Sequence, residues 1–281
     1  MEIIEVTKEN ADSLKELLGE DLAADMSRSF FKGLAAVDEE ERCHGVLIYE
    51  LLEVDSDEDT KSRIHHFSGD TEEIKAMLHD EYRWAVSEAE VGRSFFETAE
   101  EETAAFFEKM GFTRETGEST ALTITVAELD KLPVKRNAKL PEFIKSIREA
   151  SVLQYRNFVK KTILRGNKGA VEDLAYLPVN WFERDASSCS VSDEKLDGVL
   201  LIRKTPSGEL HPLLYTSFSP DYAKGLGYML TQTVNYVREH YPPETRIVIC
   251  RHNKKVVTLT KKLLAGFRGE EVMMGTRSER G

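Results

Sequence analysis

The 281-residue chain contains the same order of predicted elements twice. In each half, the hydrophobic pattern predicts a strand hairpin, a further strand, a loop, a helix, another strand and a second helix. Both second helices run into a Gly-Phe pair, Gly111-Phe112 and Gly266-Phe267, where glycine is a typical helix stop. Strands and helices in this order indicate a mixed sheet with helices packed on it. We therefore predict an α+β (mixed α/β) fold of two tandem units, each a twisted mixed sheet flanked by helices.

A basic connector separates the two predicted units. Pro133, Asn137 and Pro141 punctuate it, and helical segments are predicted over 141–150 and 153–164. We predict a first domain over 1–130, a basic helical connector that begins the second domain over 131–168, and a second domain over 169–281. A strand at 121–126 is predicted to close the first unit, and one at 272–274 to close the second.

Charge is distributed unevenly along the chain, whose net charge is −12. Residues 1–130 contain 34 acidic and 12 basic side chains, whereas 131–168 contain 2 acidic and 11 basic ones. A polyanionic ligand is repelled by the first segment and tolerated by the rest of the chain. Solubility alone also explains an acidic surface. We expect the basic connector to contact the acidic first unit, and we expect no nucleic-acid partner.

The sequence favours a protein of a reducing compartment without a metal site. No run approaches the roughly 18 apolar residues that a membrane helix needs, and MEIIEVTKEN lacks the pattern of a signal peptide. Cys43, Cys189 and Cys250 lie far apart, which indicates free thiols and a cytoplasmic protein. His65-His66 would face opposite sides of a strand, and the acidic stretch 55–59 lacks the glycine and glutamate spacing of a calcium loop. We expect no membrane contact and no metal.

The stretch from Leu213 to Leu230 is the one that carries chemical information. A predicted strand over 210–218 runs into a short loop with Lys224, Gly225 and Gly227, which opens into an amphipathic helix. Backbone N–H groups at a helix start lack internal partners, and glycine lets a phosphate approach them. Such a loop is a cradle for a diphosphate. A plain strand-to-helix turn explains the same glycines, and both interpretations stay open on these residues alone.

On these residues the second half resembles the GNAT superfamily of N-acetyltransferases, over roughly 172–276. The family's Arg/Gln-x-x-Gly-x-Gly/Ala pattern falls on Tyr222-x-x-Gly225-x-Gly227, with tyrosine in place of the cation or amide. Asn253, after the next strand, and Gly266-Phe267 also match. The resemblance implies that acetyl-CoA, as cosubstrate, binds where the strands 210–218 and 245–250 separate. The implied binding residues are Phe218, Tyr222, Ala223, Lys224, Gly225, Leu226, Gly227, Tyr228 and Asn253.

The first unit has the layout of the same family without its loop. The corresponding stretch is Phe67-Ser68-Gly69-Asp70-Thr71-Glu72-Glu73, with one glycine and three carboxylates. Negative charges at a helix start stabilise the helix and repel a diphosphate. We therefore interpret the first unit as a degenerate copy that does not bind coenzyme A.

Catalysis would need a base for the acceptor ammonium and an acid for the thiolate. The resemblance places the base on the strand before the loop, where Glu209 and His211 are two residues apart and share a face. Glu209 in an exposed turn and His211 as a structural residue remain alternatives. The family's acid is often a tyrosine four residues before Gly-Phe, and here that residue is Lys262. Tyr215 or Tyr228 could substitute, so the candidate catalytic residues are Glu209, His211 and Tyr215.

Two functions follow from this reading. The first is an N-acetyltransferase that moves the acetyl group of acetyl-CoA to a primary amine of a small molecule or peptide. The alternative is a catalytically degenerate protein that binds acyl-CoA as a sensor or interaction module, which the missing tyrosine favours. The sequence leaves the oligomeric state and the acceptor amine open.

Overall fold

The computed structural model describes residues 1–52, 60–134, 139–164, 177–219, 222–251 and 254–280, with the backbone alone at 222–223 and 254–255. These residues form two compact units. The first contains 1–119 and 271–280, and the second contains 120–164 and 177–270. The predicted domains are continuous stretches of the chain. The first unit instead combines 1–119 with the distant segment 271–280, and the second unit begins at residue 120.

The first unit is built on a seven-stranded mixed sheet in the order β1-β2-β3-β4-β5-β13-β6. Its strands are β1 (Glu2–Val6), β2 (Phe31–Val37), β3 (Cys43–Leu52), β4 (Lys61–Gly69), β5 (Arg93–Thr98), β6 (Thr113–Glu118) and β13 (Glu271–Ser278). Its helices are α1 (Lys15–Asp25), α2 (Glu72–Glu88) and α3 (Glu101–Lys109). One face of the sheet packs against α2 and α3 in a core that contains Leu47, Leu78, Phe96 and Phe107. The other face packs against α1.

The second unit is built on a six-stranded mixed sheet in the order β7-β12-β11-β10-β9-β8. Its strands are β7 (Ala121–Thr125), β8 (Ile144–Ser146), β9 (Ser188–Ser192), β10 (Lys195–Lys204), β11 (Leu210–Ser217) and β12 (Arg246–Cys250). Its helices are α4 (Val152–Leu164), α5 (Tyr222–His240) and α6 (Lys254–Leu263). Its core joins β7, β10 and β12 to α5 through Leu122, Leu200, Ile247 and Val234.

The closing strands of the two units are exchanged. β7 follows the first unit in sequence but pairs antiparallel with β12 of the second sheet, from Arg246↔Thr125 to Cys250↔Ala121. β13 comes from the end of the chain but lies between β5 and β6 in the first sheet. The prediction that 121–126 closes the first unit and 272–274 the second was therefore wrong. Both segments were identified as strands, but strand order in a sheet depends on distant partners that local patterns do not encode.

The structure also corrects three local predictions. The stretch 141–150 forms the short strand β8 and a 3₁₀ turn at Ile147–Glu149 instead of a helix. The helix near Asn10 is a 3₁₀ turn followed by α1, interrupted by non-helical dihedrals at Gly19. β6 was not predicted, because Thr113–Glu118 has few apolar residues. In contrast, Gly111 and Gly266 both adopt positive φ after α3 and α6, as predicted for helix stops.

Removal of 271–281 is expected to unfold the first unit, because β5 and β6 then lose the strand that hydrogen-bonds to both. Hydrogen exchange should show loss of amide protection over 93–98 and 113–118, while 188–204 in the second sheet stays protected. A control that removes only 280–281 keeps β13 and should behave as the full chain. Unchanged protection in the larger deletion would contradict the strand exchange.

A buried histidine fixes β13 to the first unit. Arg277 on β13 donates to His79 Nε2 of α2 at 2.7 Å and to the Met110 carbonyl at 3.1 Å, and it also pairs with Glu279 at 2.8 Å. His79 is 1% exposed, and its Nδ1 has no hydrogen-bond partner among the described residues. Burial, and then the neighbouring Arg277 and Arg83, lower the pKa of His79 to about 3. The ring is therefore neutral in the folded state.

This geometry predicts loss of stability in mild acid. Because the folded pKa lies below the unfolded value of 6.5, the unfolded chain binds the extra proton, and stability falls as pH drops below that value. At pH 5 the contribution lost is about 2 kcal/mol, at 1.36 kcal/mol per unit. Denaturant titrations of the wild type and of His79→Gln at pH 7.5 and pH 5 should show a smaller pH effect in the variant. Equal pH effects would contradict this role of His79.

Candidate functional site

The parallel pair of the second sheet opens into a wedge. β11 and β12 pair at one register position within the described residues, Leu210↔Ile247, although β11 continues to Ser217 and β12 to Cys250. The outer edges of both strands are well paired, β11 with β10 and β12 with β7. We call the space between β11 and β12 beyond this register position the wedge. Among the described residues, β11 and β12 share no further register position along its edges.

A bulge in β11 lies beside the wedge. Leu201 pairs with Leu214 and Ile202 with Pro212, so Leu213 is an extra residue in the ladder with β10. A bulge bends its strand and leaves the backbone groups of the extra residue outside the regular pairing. The first unit has the same irregularity, since Ile48 pairs with His66 and Tyr49 with Ile64, which leaves His65 extra on β4. The sequence analysis missed both bulges, although Pro212, which has no N–H, was a usable signal.

The glycines lie inside α5 and not in a loop before it. α5 begins at Tyr222, so Gly225 and Gly227 have helical backbone, and the prediction of a loop over 222–227 was wrong in this respect. In a helix with this start, the N–H groups without an internal acceptor are those of its first turn, 222–224. The N–H groups of Leu226, Gly227 and Tyr228 fall within the helical ladder. The cradle is thus the backbone of the first turn, with Gly225 directly after it.

Nothing in the described protein requires these two glycines for packing. A Cβ at Gly227 would meet no heavy atom within 4 Å, and one at Gly225 would meet only Ser217 Oγ, at 3.8 Å. Gly198 on β10 is different, because a Cβ there would lie 2.8 Å from Ser190 Oγ and 2.9 Å from Met229 Cε. Glycine inside a helix costs about 1 kcal/mol relative to alanine. Each glycine therefore lowers helix stability with no packing need among the described residues, Gly225 at a buried position and Gly227 at an exposed one.

The residues around the start of α5 are held in place by hydrogen bonds. Tyr215 on β11 donates its hydroxyl to the Leu226 carbonyl at 2.6 Å, and burial raises the pKa of Tyr215. Phe218 donates its N–H to the Asp197 carbonyl at 2.6 Å, and Ser219 donates its N–H to Ser217 Oγ. Lys224 is exposed, and the ring of Tyr228 lies 6.2 Å from that of Phe143. Asn253 lies outside the described residues, and the structure describes only the backbone of Tyr222 and Ala223.

Glu209 and His211 form a cluster at the other end of β11. His211 Nε2 lies 3.2 Å from Glu209 Oε2, and Arg246 Nη1 lies 2.7 Å from Glu209 Oε1. The structure thus brings the two predicted residues together and adds Arg246, which sequence reasoning missed. Its position at the start of β12, next to Ile247, which pairs with Leu210, explains the contact. The ion pair fixes the orientation of the Glu209 carboxylate, and the Glu209 side chain is 20% exposed to solvent.

The helix that carries a tyrosine in the family pattern offers no phenol here. Thr260 on α6 is buried and donates to the Val256 carbonyl at 2.9 Å, and Lys262 is exposed. Tyr215 also has its hydroxyl committed to a carbonyl. Of the three residues predicted to be catalytic, Glu209 and His211 contact each other. Tyr215 lies apart from them on β11, with its hydroxyl bonded to α5.

The corresponding strands of the first unit, β4 and β5, share more register positions, and an aromatic side chain beyond them packs on α3. β4 and β5 share four register positions, from Lys61↔Arg93 to Ile64↔Phe96. Beyond them, the Phe67 ring lies 5.0 Å from Phe106 and 4.9 Å from Phe107 of α3. At the start of α2, Thr71 Oγ1 accepts the N–H of Ile74 at 3.3 Å. The helix start is thus capped by the protein, next to two glutamates in the first turn.

The described residues contain no other feature that changes this picture. Cys43, Cys189 and Cys250 are free thiols. In the part of the chain that the structure covers, no group of three or more metal-ligating side chains comes together. No described helix is both long enough and apolar enough to cross a bilayer.

The structure is similar to solved GNAT proteins over its whole length. A tandem GNAT protein from the clavulanic acid biosynthesis pathway, described as without AcCoA, matches with a TM-score of 0.58 and 12% identity over 100% of this chain and 99% of that one. A GCN5-related N-acetyltransferase from Anabaena variabilis matches with a TM-score of 0.50 and 12% identity, over 99% of this chain and 73% of that one.

A third match is a GCN5-related glucosamine N-acetyltransferase region of a fungal multi-domain β-N-acetylglucosaminidase, with a TM-score of 0.55 and 9% identity. It covers 98% of this chain and 38% of that one. No protein-family model and no curated protein sequence matches the chain. At these identities the matches show the fold, which is a tandem GNAT fold, as predicted.

The open helix surface predicts opposite effects of two alanine substitutions. Gly227→Ala should raise the free energy of unfolding of the ligand-free protein by about 1 kcal/mol, because the new methyl group meets open space and removes backbone freedom from the unfolded chain. Gly198→Ala, the matched control, should lower stability because its methyl group overlaps Met229 and Ser190. Chemical denaturation measures both. Destabilisation by Gly227→Ala would mean that the surface is already covered.

Proposed function

From the tandem GNAT fold we propose that the second unit is an N-acetyltransferase that transfers the acetyl group of acetyl-CoA to a primary amine of a small molecule or peptide. The observation that carries the proposal is the wedge leading to a helix start with two glycines that packing does not require. A diphosphate is an anion that accepts hydrogen bonds from first-turn N–H groups. Glycine at 225 and 227 would let it approach the helix closely.

The wedge suits the extended arm of coenzyme A. From Ser217 at the end of β11 to the bulge at Leu213 is four residues, or about 13 Å of strand. A ligand with its diphosphate at α5 could run along the edge of β11, which shares no further described register position with β12 beyond Leu210↔Ile247. Its thioester would then lie near the bulge. We propose that an N–H group at the bent strand stabilises the oxyanion that forms on the thioester carbonyl.

The proposed reaction uses Glu209 and His211 as the base. His211 is two residues from the bulge and contacts Glu209, whose carboxylate can orient the imidazole and stabilise its cation. The base takes a proton from the acceptor ammonium, and the amine nitrogen then attacks the thioester carbon. The C–N bond forms, the C–S bond breaks, the nitrogen loses its second proton to solvent water, and coenzyme A leaves as a thiolate. Because Tyr215 is bonded to Leu226, we assign it to positioning, and the thiolate takes its proton from water.

The first unit is proposed to be a degenerate copy without coenzyme A. Phe67, beyond the last register position that β4 shares with β5, packs on Phe106 and Phe107 of α3. The capped start of α2 carries carboxylates instead of a glycine pair. Both features oppose binding of a polyanionic ligand.

The test combines binding and turnover. Acetyl-CoA should raise the Tm of the wild-type protein, because a ligand that binds only the folded state stabilises it. Gly225→Glu should abolish the shift, since the carboxylate repels the diphosphate, whereas Ser207→Glu adds the same charge in the turn before β11 and should keep it. Incubation with a panel of primary amines should release free thiol. A Tm shift without thiol release across the panel would favour the alternative, an acyl-CoA-binding module. The absence of a tyrosine from α6 is the observation that agrees with this alternative.

A further inference from the structure

Phe218 connects the start of α5 to α4, a helix from a distant part of the second unit. Its ring lies 5.2 Å from the ring of Phe158, which is 2% exposed. The same ring lies 4.8 Å from Nζ of Lys161, one helical turn after Phe158. Both α4 residues therefore contact Phe218 from one face of the helix. Lys161 is thereby brought to the segment that leads directly into α5.

Lys161 has no counter-ion in the described part of the chain. It is half-buried, and no carboxylate oxygen of the described residues lies within 4.0 Å of its ammonium group. Two arginines of this unit have carboxylate partners, Arg148 with Asp185 and Arg246 with Glu209. A contact with an aromatic ring contributes about 0.5–1 kcal/mol, less than the desolvation and ordering of a lysine cost when it is half-buried. An anion beside it would supply the missing partner.

The sequence has a tyrosine at the position where the resemblance to the GNAT pattern leads us to expect a cation or an amide. Tyr222 stands at the first position of the diphosphate pattern, and Lys224 is the one basic residue in the first turn of α5. Phe218 and Tyr222 are four residues apart, so their backbones are at most about 14 Å apart. A lysine held over Phe218 on a flexible stem therefore lies beside the segment that leads to this helix start.

We propose that Lys161 binds a phosphate group of the acyl-CoA and replaces the cation missing at position 222. This inference rests on the proposed function of the second unit. Coenzyme A carries a diphosphate and a 3′-phosphate, so one lysine in addition to the first-turn N–H groups still leaves negative charge for Lys224. Phe218 acts as the positioning residue, because its ring holds the Lys161 ammonium group beside the end of β11.

The proposal is tested by titrating coenzyme A and dephospho-coenzyme A into the wild type, Lys161→Gln, Lys161→Arg and Lys160→Gln. Lys161→Gln should weaken coenzyme A binding about tenfold, which corresponds to 1.4 kcal/mol, and should reduce the dependence of affinity on salt. Lys160→Gln removes the same charge from an exposed neighbour on α4 and should change affinity less than twofold. Lys161→Arg should retain affinity. The loss with dephospho-coenzyme A should persist if the diphosphate is bound and disappear if the 3′-phosphate is.

The outcomes separate this inference from the proposed function. If the wild type binds coenzyme A and Lys161→Gln binds it as tightly as Lys160→Gln does, Lys161 has no such role. Loss of affinity in Lys161→Arg as well as in Lys161→Gln, together with a lower Tm of the ligand-free variants, would indicate a packing role and overturn the proposal. A wild-type protein that binds no coenzyme A contradicts the proposed function itself.

Discussion

The geometry of the candidate site in the second unit depends on the short hydrogen-bonded pairing between its two parallel strands, β11 and β12. β11 and β12 meet at Leu210↔Ile247 and pair no further among the described residues, while β7 and β10 hold the outer edges of the two strands. The connection through α5 fixes where each strand begins and ends. Because the two strands part beyond this position, the edges of both strands and the start of α5 lie around one opening. Every functional assignment in this unit, including the glycines, the bulge and Lys161, refers to that opening.

The two units share a strand with a bulge before a long helix, but the residues that follow the bulge make different contacts. Each has a bulge in the strand before its first long helix, at His65 and at Leu213. Counted from the bulge, Phe67 in the first unit corresponds to Tyr215 in the second. Phe67 packs on other aromatic rings, whereas Tyr215 directs a hydroxyl to the backbone of α5. Aromatic packing gains stability by removing apolar area from water. The first unit therefore gains a continuous core where the second keeps an opening.

Much of this fold could be predicted from the sequence because its elements are strongly patterned. The tandem order and the helix stops at Gly111 and Gly266 follow from local signals, and the role of the stretch around Gly225 stays a prediction. Strand exchange could not be predicted, since β7 and β13 are equally good strands in either sheet. The contacts of Arg246 with Glu209 and of Lys161 with Phe218 join residues far apart in sequence. Such pairs depend on the tertiary packing and leave no periodic pattern to read.

The exchange of β7 and β13 has a consequence for the order in which the chain can fold during synthesis. The first sheet lacks the strand between β5 and β6 until Glu271–Ser278 has been made. At typical translation rates the roughly 150 residues that separate β6 from β13 take on the order of 8–30 s. During that interval the nascent chain exposes two unpaired strand edges, which are templates for aggregation. The high negative charge of 1–130 would oppose such association between nascent chains on neighbouring ribosomes.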